Sequence, residues 1–149
     1  MKAWLFTWNR DRWPWDDKLY GYKELISNIQ QIGHAYTAWT CGVNKSIQPG
    51  DRIFLIKLGS KPKGIVASGT AISPVFEGNH WDSEKQKAGI RARRIYLDFD
   101  KIKDCDKDQI LDFETLKTIS SSFNWSTQSS GIGIPEDIST ILEEKWRAL

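Results

Sequence analysis

Six tryptophans occupy positions where a chain of this kind offers them little to pack on. Trp8, Trp13, Trp15, Trp39, Trp81 and Trp125 fall in loops or at the predicted ends of strands, whereas Trp4 inside a strand and Trp146 on a helix stripe read as core. Large apolar rings in such places are costly unless they pack on one another or on a ligand. The chemistry they suit is capture of a flat, partly apolar heterocycle. A nucleobase removed from its stack has two faces to cover, and ring stacking is worth ~1–3 kcal/mol per base. Extrusion from a duplex costs on the order of a few kcal/mol, which two aromatic walls and several hydrogen bonds offset. A methyl or hydroxymethyl group adds roughly 0.8 kcal/mol per buried CH2, so discrimination also needs shape and polar contacts.

Polar residues accompany the rings. Asn9 and Asn44 each donate and accept, which suits a base edge, and both are equally good turn formers. The run Ser129-Ser130-Gly131 brings hydroxyls and backbone N–H groups to a base edge or phosphate, or forms a plain serine-rich turn. Asp16 either accepts from a cytosine amino group or caps the helix that follows. For a phosphate backbone the candidates are Arg10, Arg12, Lys45 with Ser46, Lys57, Lys61, Lys63, Arg91 and Arg93. Such contacts position a nucleic acid without reading its sequence. Lys45-Ser46 is the best placed, because it follows Trp39 directly.

A catalytic reading finds less. His80-Trp81-Asp82 sets a histidine near a carboxylate, with no serine or cysteine nucleophile motif beside it. There is no HExxH, no phosphate-binding glycine loop with lysine and no paired-carboxylate signature. His34 and His80 have no cysteine or histidine at ligand spacing, so neither zinc nor an HNH-type metal nuclease is indicated, and no cofactor is called for. Cys41 and Cys105, far apart and in no CxxC pair, read as two reduced thiols. The expectation is a binding module, not an enzyme.

The elements that must position these residues centre on Trp39 to Gly69. A Pro49-Gly50-Asp51 turn leads into Ile53-Phe54-Leu55-Ile56, and the connection from Gly59 to Gly64 leads into Ile65-Val66-Ala67. Two buried strands are implied. Ala3 to Trp8 reads as a first strand, and Asn9 to Asp17 as an ordered loop with Pro14 at its centre. A helix from about Leu19 to Ile32 follows, capped by Asp17 and ended by Gly33. Tyr36 to Cys41 and Ala92 to Phe99 read as strands, the latter with Ile95, Leu97 and Phe99 on one face and Arg94 and Tyr96 on the other. Phe76 to Ala88 reads as loop, residues 106–119 as helix, and Phe123 to Pro135 as a loop with a short strand at Ile132 to Ile134. A last helix spans Glu136 to Arg147 with Ile138, Ile141, Leu142 and Trp146 as its apolar stripe.

This gives an α+β fold with a mixed sheet of five or six strands. A chain of 149 residues fits one domain, able to hide roughly 68–70% of its unfolded surface. With 40% hydrophobic and 27% charged residues and no long apolar run, it reads as a globular protein that spans no membrane. The N-terminal apolar stretch is too short for a secretory signal, which implies a cytoplasmic protein. Charge is unevenly spread: residues 1–100 hold 15 basic and 10 acidic side chains, residues 101–149 hold 6 and 9, and the net is +2. A basic front and an acidic back suit a protein that turns one face to a polyanion.

Three blocks carry a resemblance: Trp4-Leu5-Phe6-Thr7-Trp8-Asn9, the stretch from Trp39 through Asn44 and Pro49-Gly50-Asp51 to Gly69-Thr70, and Trp125-Ser126-Thr127-Gln128-Ser129-Ser130-Gly131. In this order they resemble the EVE domain of the PUA-like superfamily, related to YTH domains and found at the front of modification-dependent restriction endonucleases. They span residues 3 to about 134. The resemblance implies a curled, barrel-like PUA sheet flanked by helices, one domain over residues 1–149. It also implies a reader of double-stranded DNA that holds a flipped 5-modified cytosine, 5-methyl or 5-hydroxymethyl, for a fused or associated HNH-type nuclease. The alternative is an RNA-binding PUA-like module recognising a methylated nucleotide. The tryptophan matching Trp39 is a pocket wall in such domains; Trp8 or Trp15 would supply the opposite face and Trp125 the rim. Where the restriction-associated relatives often have proline after Trp-Asn, this chain has Arg10, which leaves Arg10 and Arg12 to reach phosphate.

Overall fold

Alternation along strand β1 (Ala3–Asn9) sets the architecture. Trp4, Phe6 and Trp8 turn into one apolar cluster and Leu5 into a second, so both faces of the strand are covered. The computed structural model describes residues 2–80 and 82–149; the expectation attached to Trp81 lies outside the described residues.

Strand β3 (Arg52–Leu58) lies parallel to β1, with Ala3 opposite Arg52 and Asn9 opposite Leu58. A parallel pair needs a long crossover, supplied by helix α1 (Tyr22–Ile32) and strand β2 (Ala35–Thr40). Strand β4 (Gly64–Ala71) returns antiparallel to β3 with a register shift at Leu55/Ile56. That bulge lets successive residues Val66 and Ala67 both enter the first cluster. Strand β6 (Arg91–Ile102) pairs along one side with β2 and along the other with β4 and the short strand β5 (Phe76–Asn79). Strand β7 (Leu111–Asp112) pairs with the start of β4, and β8 (Ile132–Ile134) pairs antiparallel with β1. The order along the sheet is β2-β6-β4-β3-β1-β8.

Ala35 and Trp39 of β2 enter the same cluster as Trp4, Phe6 and Trp8 of β1, although the two strands lie far apart in that order. The sheet must therefore curl round this cluster. Tyr22 and Leu25 of α1 are buried in it. The second cluster lies on the other face, where helices α3 (Phe113–Ile119) and α4 (Glu136–Arg147) contribute Leu116, Leu142 and Trp146. Helix α2 (Ser83–Lys87) buries nothing and is capped by the Asp82 side chain. Among the described residues no helix is long and apolar enough to cross a membrane.

The curled mixed sheet with flanking helices is as expected; among the described residues it has eight strands. Residues 76–79, read as loop, form β5 because they complete an edge of β6 beyond the end of β4. Residues 106–119 are not one helix: Leu111 and Asp112 pair with β4, and the Asp112 carboxylate then accepts from Thr115 N at 2.8 Å to start α3. Helix α1 begins at Tyr22, capped by Gly21 without any side-chain bond, so Asp17 does not cap it. A side chain at Gly21 would press to within 2.4 Å of the Asp17 carbonyl oxygen. Ile141, assigned to the apolar stripe of α4, is 41% exposed.

Candidate functional site

Curling brings the free edges of β1 and β2 towards each other, and side chains close the gap. Beyond Leu5, β1 has no strand partner on the β8 side among the described residues. The Thr7 N–H donates to Ser130 Oγ at 3.0 Å, and the Thr7 carbonyl accepts from Trp39 Nε1 at 3.2 Å. Asn44 fastens the same seam, its Nδ2 donating to the Gly131 carbonyl at 2.8 Å while its Oδ1 accepts from Ser46 N at 2.6 Å. Gly42 and Gly131, both at positive φ, permit this close approach: a Cβ on Gly131 would lie 2.6 Å from the Cys41 carbonyl oxygen.

At this seam lies a cavity of about 570 Å³. Its aromatic wall is Trp8, Trp13 and Trp39, with Ala38, Leu58, Ile90 and Ala92 adding apolar surface; the polar part is made by Thr7, Asn9, Thr40, Glu77, His80, residues 127–130 and Arg12, Arg91, Arg93 and Arg94. The indoles converge, and they also fill the space between them. Trp15 sits edge-on to Trp39 with centroids 4.7 Å apart and to Trp8 at 5.1 Å, while Trp13 lies 5.2 Å from Trp39. Each of three indoles finds a carbonyl: Trp8 donates to Trp13 O, Trp15 to Tyr20 O and Trp39 to Thr7 O. The expectation of two opposed aromatic faces among these residues is therefore corrected. The rings form one packed wall, and the vacant space lies beside it.

Trp15, with φ of 51° and 1% exposure, backs that wall and does not line the cavity. Its positive φ is a strained backbone for a bulky residue. Trp125, expected at the rim, lies in the second apolar cluster, donating to the Ser120 carbonyl at 3.0 Å and packed on Phe123. Only the chain that follows it, from Thr127 to Ser130, reaches the cavity. Asp16 is exposed and outside the lining, and Asn44 is committed to the seam. Trp8, Asn9, Trp39, Ser129 and Ser130 do line it, although the Ser130 hydroxyl is engaged with Thr7 and Asn9 Oδ1 accepts from Asp11 N.

The cations divide sharply. Arg12, Arg91, Arg93 and Arg94 line the cavity, and among the described residues none of them pairs with a carboxylate. Arg94 donates to the Asn79 carbonyl at 3.1 Å, and burial pushes its guanidinium below the usual value. Arg10 instead makes a two-pronged bond to Asp106 at 2.7 and 2.8 Å, which anchors the Asn9–Asp17 loop. Lys57 is fully buried; its ammonium donates to the Ser60 and Pro62 carbonyls at 2.6 and 2.8 Å, and burial pushes its pKa down. A group so enclosed cannot reach phosphate. Lys61 and Lys63 lie in the β3–β4 connection and are not among the residues lining the cavity, Lys63 sitting over the Phe113 ring at 5.2 Å. Lys45 and Ser46 line a shallower depression of about 360 Å³ with Trp4 and Val43. Cys41 and Cys105 are buried and unbridged.

The sequence reading missed Glu77 and Arg94 as lining residues. Arg94 was placed on a strand but not in a site, and Glu77 was lost with the strand that holds it. Among the described residues no group of three His, Cys, Asp or Glu side chains is gathered to hold a metal.

No protein-family model and no curated protein matches the chain. Solved structures match along nearly its whole length. A hypothetical protein from Leishmania major superposes with a TM-score of 0.67 at 10% identity, covering 99% of this chain and 96% of its own. Human THYN1 protein, in complex with DNA containing 5-methylcytosine, gives 0.57 at 12% identity, covering 97% and 98%. A ZmASCH mutant protein from Zymomonas mobilis gives 0.52 at 10% identity, covering 97% and 96%. At such identities the likeness bears on architecture alone, and with the curled sheet and its helices it identifies an α+β PUA-like fold.

Proposed function

We propose that this chain is a non-catalytic reader of modified DNA that holds a 5-modified cytosine, 5-methyl or 5-hydroxymethyl, turned out of the duplex into the seam cavity. The observation that carries the reading is the pairing of an indole wall with four arginines that have no carboxylate partner among the described residues. A cavity of about 570 Å³ is of the size that small ligands occupy. Cations without carboxylate partners among the described residues, Arg93 and Arg94 half-buried and Arg12 and Arg91 exposed, suit an anion, and a phosphate backbone supplies one beside each base. The complex of human THYN1 with 5-methylcytosine DNA is a precedent for that ligand on this fold.

Magnitudes set what each part must do. Stacking on Trp13 and Trp39 would supply ~1–3 kcal/mol, comparable with the few kcal/mol that extrusion costs. The arginines then decide whether binding is net favourable. Burying the methyl group adds roughly 0.8 kcal/mol, about a fourfold preference over plain cytosine. Delivery of a fused or associated nuclease to modified DNA, as in restriction, is the role we assign to such a reader.

The test is titration of matched duplexes bearing cytosine, 5-methylcytosine or 5-hydroxymethylcytosine at one position, with the corresponding RNAs alongside. The expected result is tighter binding to the modified duplexes, accompanied by increased fluorescence of 2-aminopurine placed opposite the target. Equal weak binding to every oligonucleotide would overturn the reading, and preference for modified RNA would replace it with an RNA-binding one.

A further inference from the structure

5-Methylcytosine and thymine carry the same methyl group, so an aromatic wall that contacts the methyl cannot tell them apart. Something must read the 4-position, which is an amino donor in cytosine and a carbonyl acceptor in thymine. We infer that Glu77 and Arg93 form this reading edge, the Glu77 carboxylate accepting from the exocyclic amino group and the Arg93 guanidinium donating to the ring N3 and O2. This rests on the reading of the cavity just given.

The register supports it. Glu77 of β5 lies directly opposite Arg93 of β6, so the two side chains leave the sheet on the same face. Arg93 shares that face with Ile95 and Leu97, which point into the core round which the sheet curls. Both residues line the cavity, and Glu77 is the one carboxylate among the described residues that do so. Four arginines share the lining, yet no hydrogen bond or ion pair to the Glu77 carboxylate is present among the described residues. Arg93, directly across, is likewise without a side-chain hydrogen bond there. An acceptor and a fork of donors thus stand side by side and uncommitted. Cytosine presents donor, acceptor, acceptor along its edge, which one carboxylate followed by one guanidinium complements. Thymine in the same pose would bring its O4 against the carboxylate.

Single-stranded oligonucleotides identical except for cytosine, 5-methylcytosine or thymine at one position remove differences in base pairing. The full chain is expected to prefer 5-methylcytosine to thymine by roughly ten- to hundredfold. In Glu77→Gln, whose amide can donate to O4 as well as accept from the amino group, the ratio should collapse to within about threefold, mainly by tighter binding of thymine. Glu77→Ala should lose affinity for 5-methylcytosine without that gain. Glu77 is exposed on a short strand, so both variants should keep the wild-type circular dichroism spectrum. If wild type prefers 5-methylcytosine to cytosine but does not disfavour thymine, or if Glu77→Gln leaves the ratio unchanged, the inference fails while the cavity reading stands. If no oligonucleotide binds wild type, the cavity reading itself fails.

Discussion

The indole of Trp39 donates to the carbonyl of Thr7 at 3.2 Å across two strand edges that share no ladder. One side chain therefore serves both as wall of the cavity and as a rung holding the curled sheet closed. Trp39→Phe keeps a ring but orphans the Thr7 carbonyl, at a cost of ~1–3 kcal/mol. Trp39→Ala also opens a void and should cost ~3–5 kcal/mol. Urea denaturation followed by far-UV circular dichroism measures both. A Trp39→Phe protein as stable as wild type would mean that the carbonyl is satisfied elsewhere.

Ser130 closes the same seam from the other side. Its hydroxyl accepts from the Thr7 amide at 3.0 Å and lies 3.3 Å from the Thr7 hydroxyl. Ser130→Ala leaves the amide without that acceptor in a half-buried position, and stability should fall by ~1–3 kcal/mol. The more local readout is hydrogen exchange: the Thr7 amide should exchange faster in the variant, while amides of the β3–β4 ladder keep their protection.

Acid should weaken the fold through two aspartates of different standing. Burial raises the Asp51 pKa, but hydrogen bonds from Gln48 N, the Trp4 indole and Lys2 N outweigh it, so the carboxyl lies below its usual value. Asp106 is held at about 2 by the Arg10 guanidinium. A carboxyl whose folded pKa is depressed stabilises the fold above its unfolded value, about 3.9 for Asp, and that contribution is lost as pH falls through the folded pKa. Asp106 is 44% exposed at its side chain, so its share is screened to roughly 1 kcal/mol or less. Asp51→Asn should flatten the fall of the urea midpoint between pH 5 and pH 2 more than Asp106→Asn does. The reverse order would place the acid-sensitive contact in the Arg10 loop.

What the sequence revealed follows period and punctuation. β1, β3, β4 and α4 were legible because their apolar residues alternate or recur without interruption between turn residues. β5 was not: Phe76-Glu77-Gly78-Asn79 has one apolar residue and a glycine, and pairs only because β6 runs on past β4. Trp39, expected as a pocket wall, lies in the lining of the cavity. Trp125, expected at the rim, does not, because a tryptophan in a loop looks the same whether it packs inward or lines a cleft; here Phe123 and Ser120 hold it inward. Lys57 misled for a related reason. Nothing local in Ile56-Lys57-Leu58 shows that two loop carbonyls wait for its ammonium.

That division among the cations yields a salt-dependence prediction. Each phosphate neutralised on duplex DNA contributes about −0.9 to the slope of log Kobs against log salt. Arg94→Ala removes a cavity cation free of any carboxylate partner among the described residues, so it should weaken binding to all duplexes alike and make the slope shallower by about 0.9. Arg10→Ala should leave the slope unchanged, because its guanidinium is spent on Asp106 and on the Trp8 ring at 5.9 Å. It should instead loosen the loop that carries Trp13 and Trp15, detectable as a lower urea midpoint. A slope that becomes shallower in Arg10→Ala and not in Arg94→Ala would move the phosphate path away from β6 and onto the Asn9–Asp17 loop.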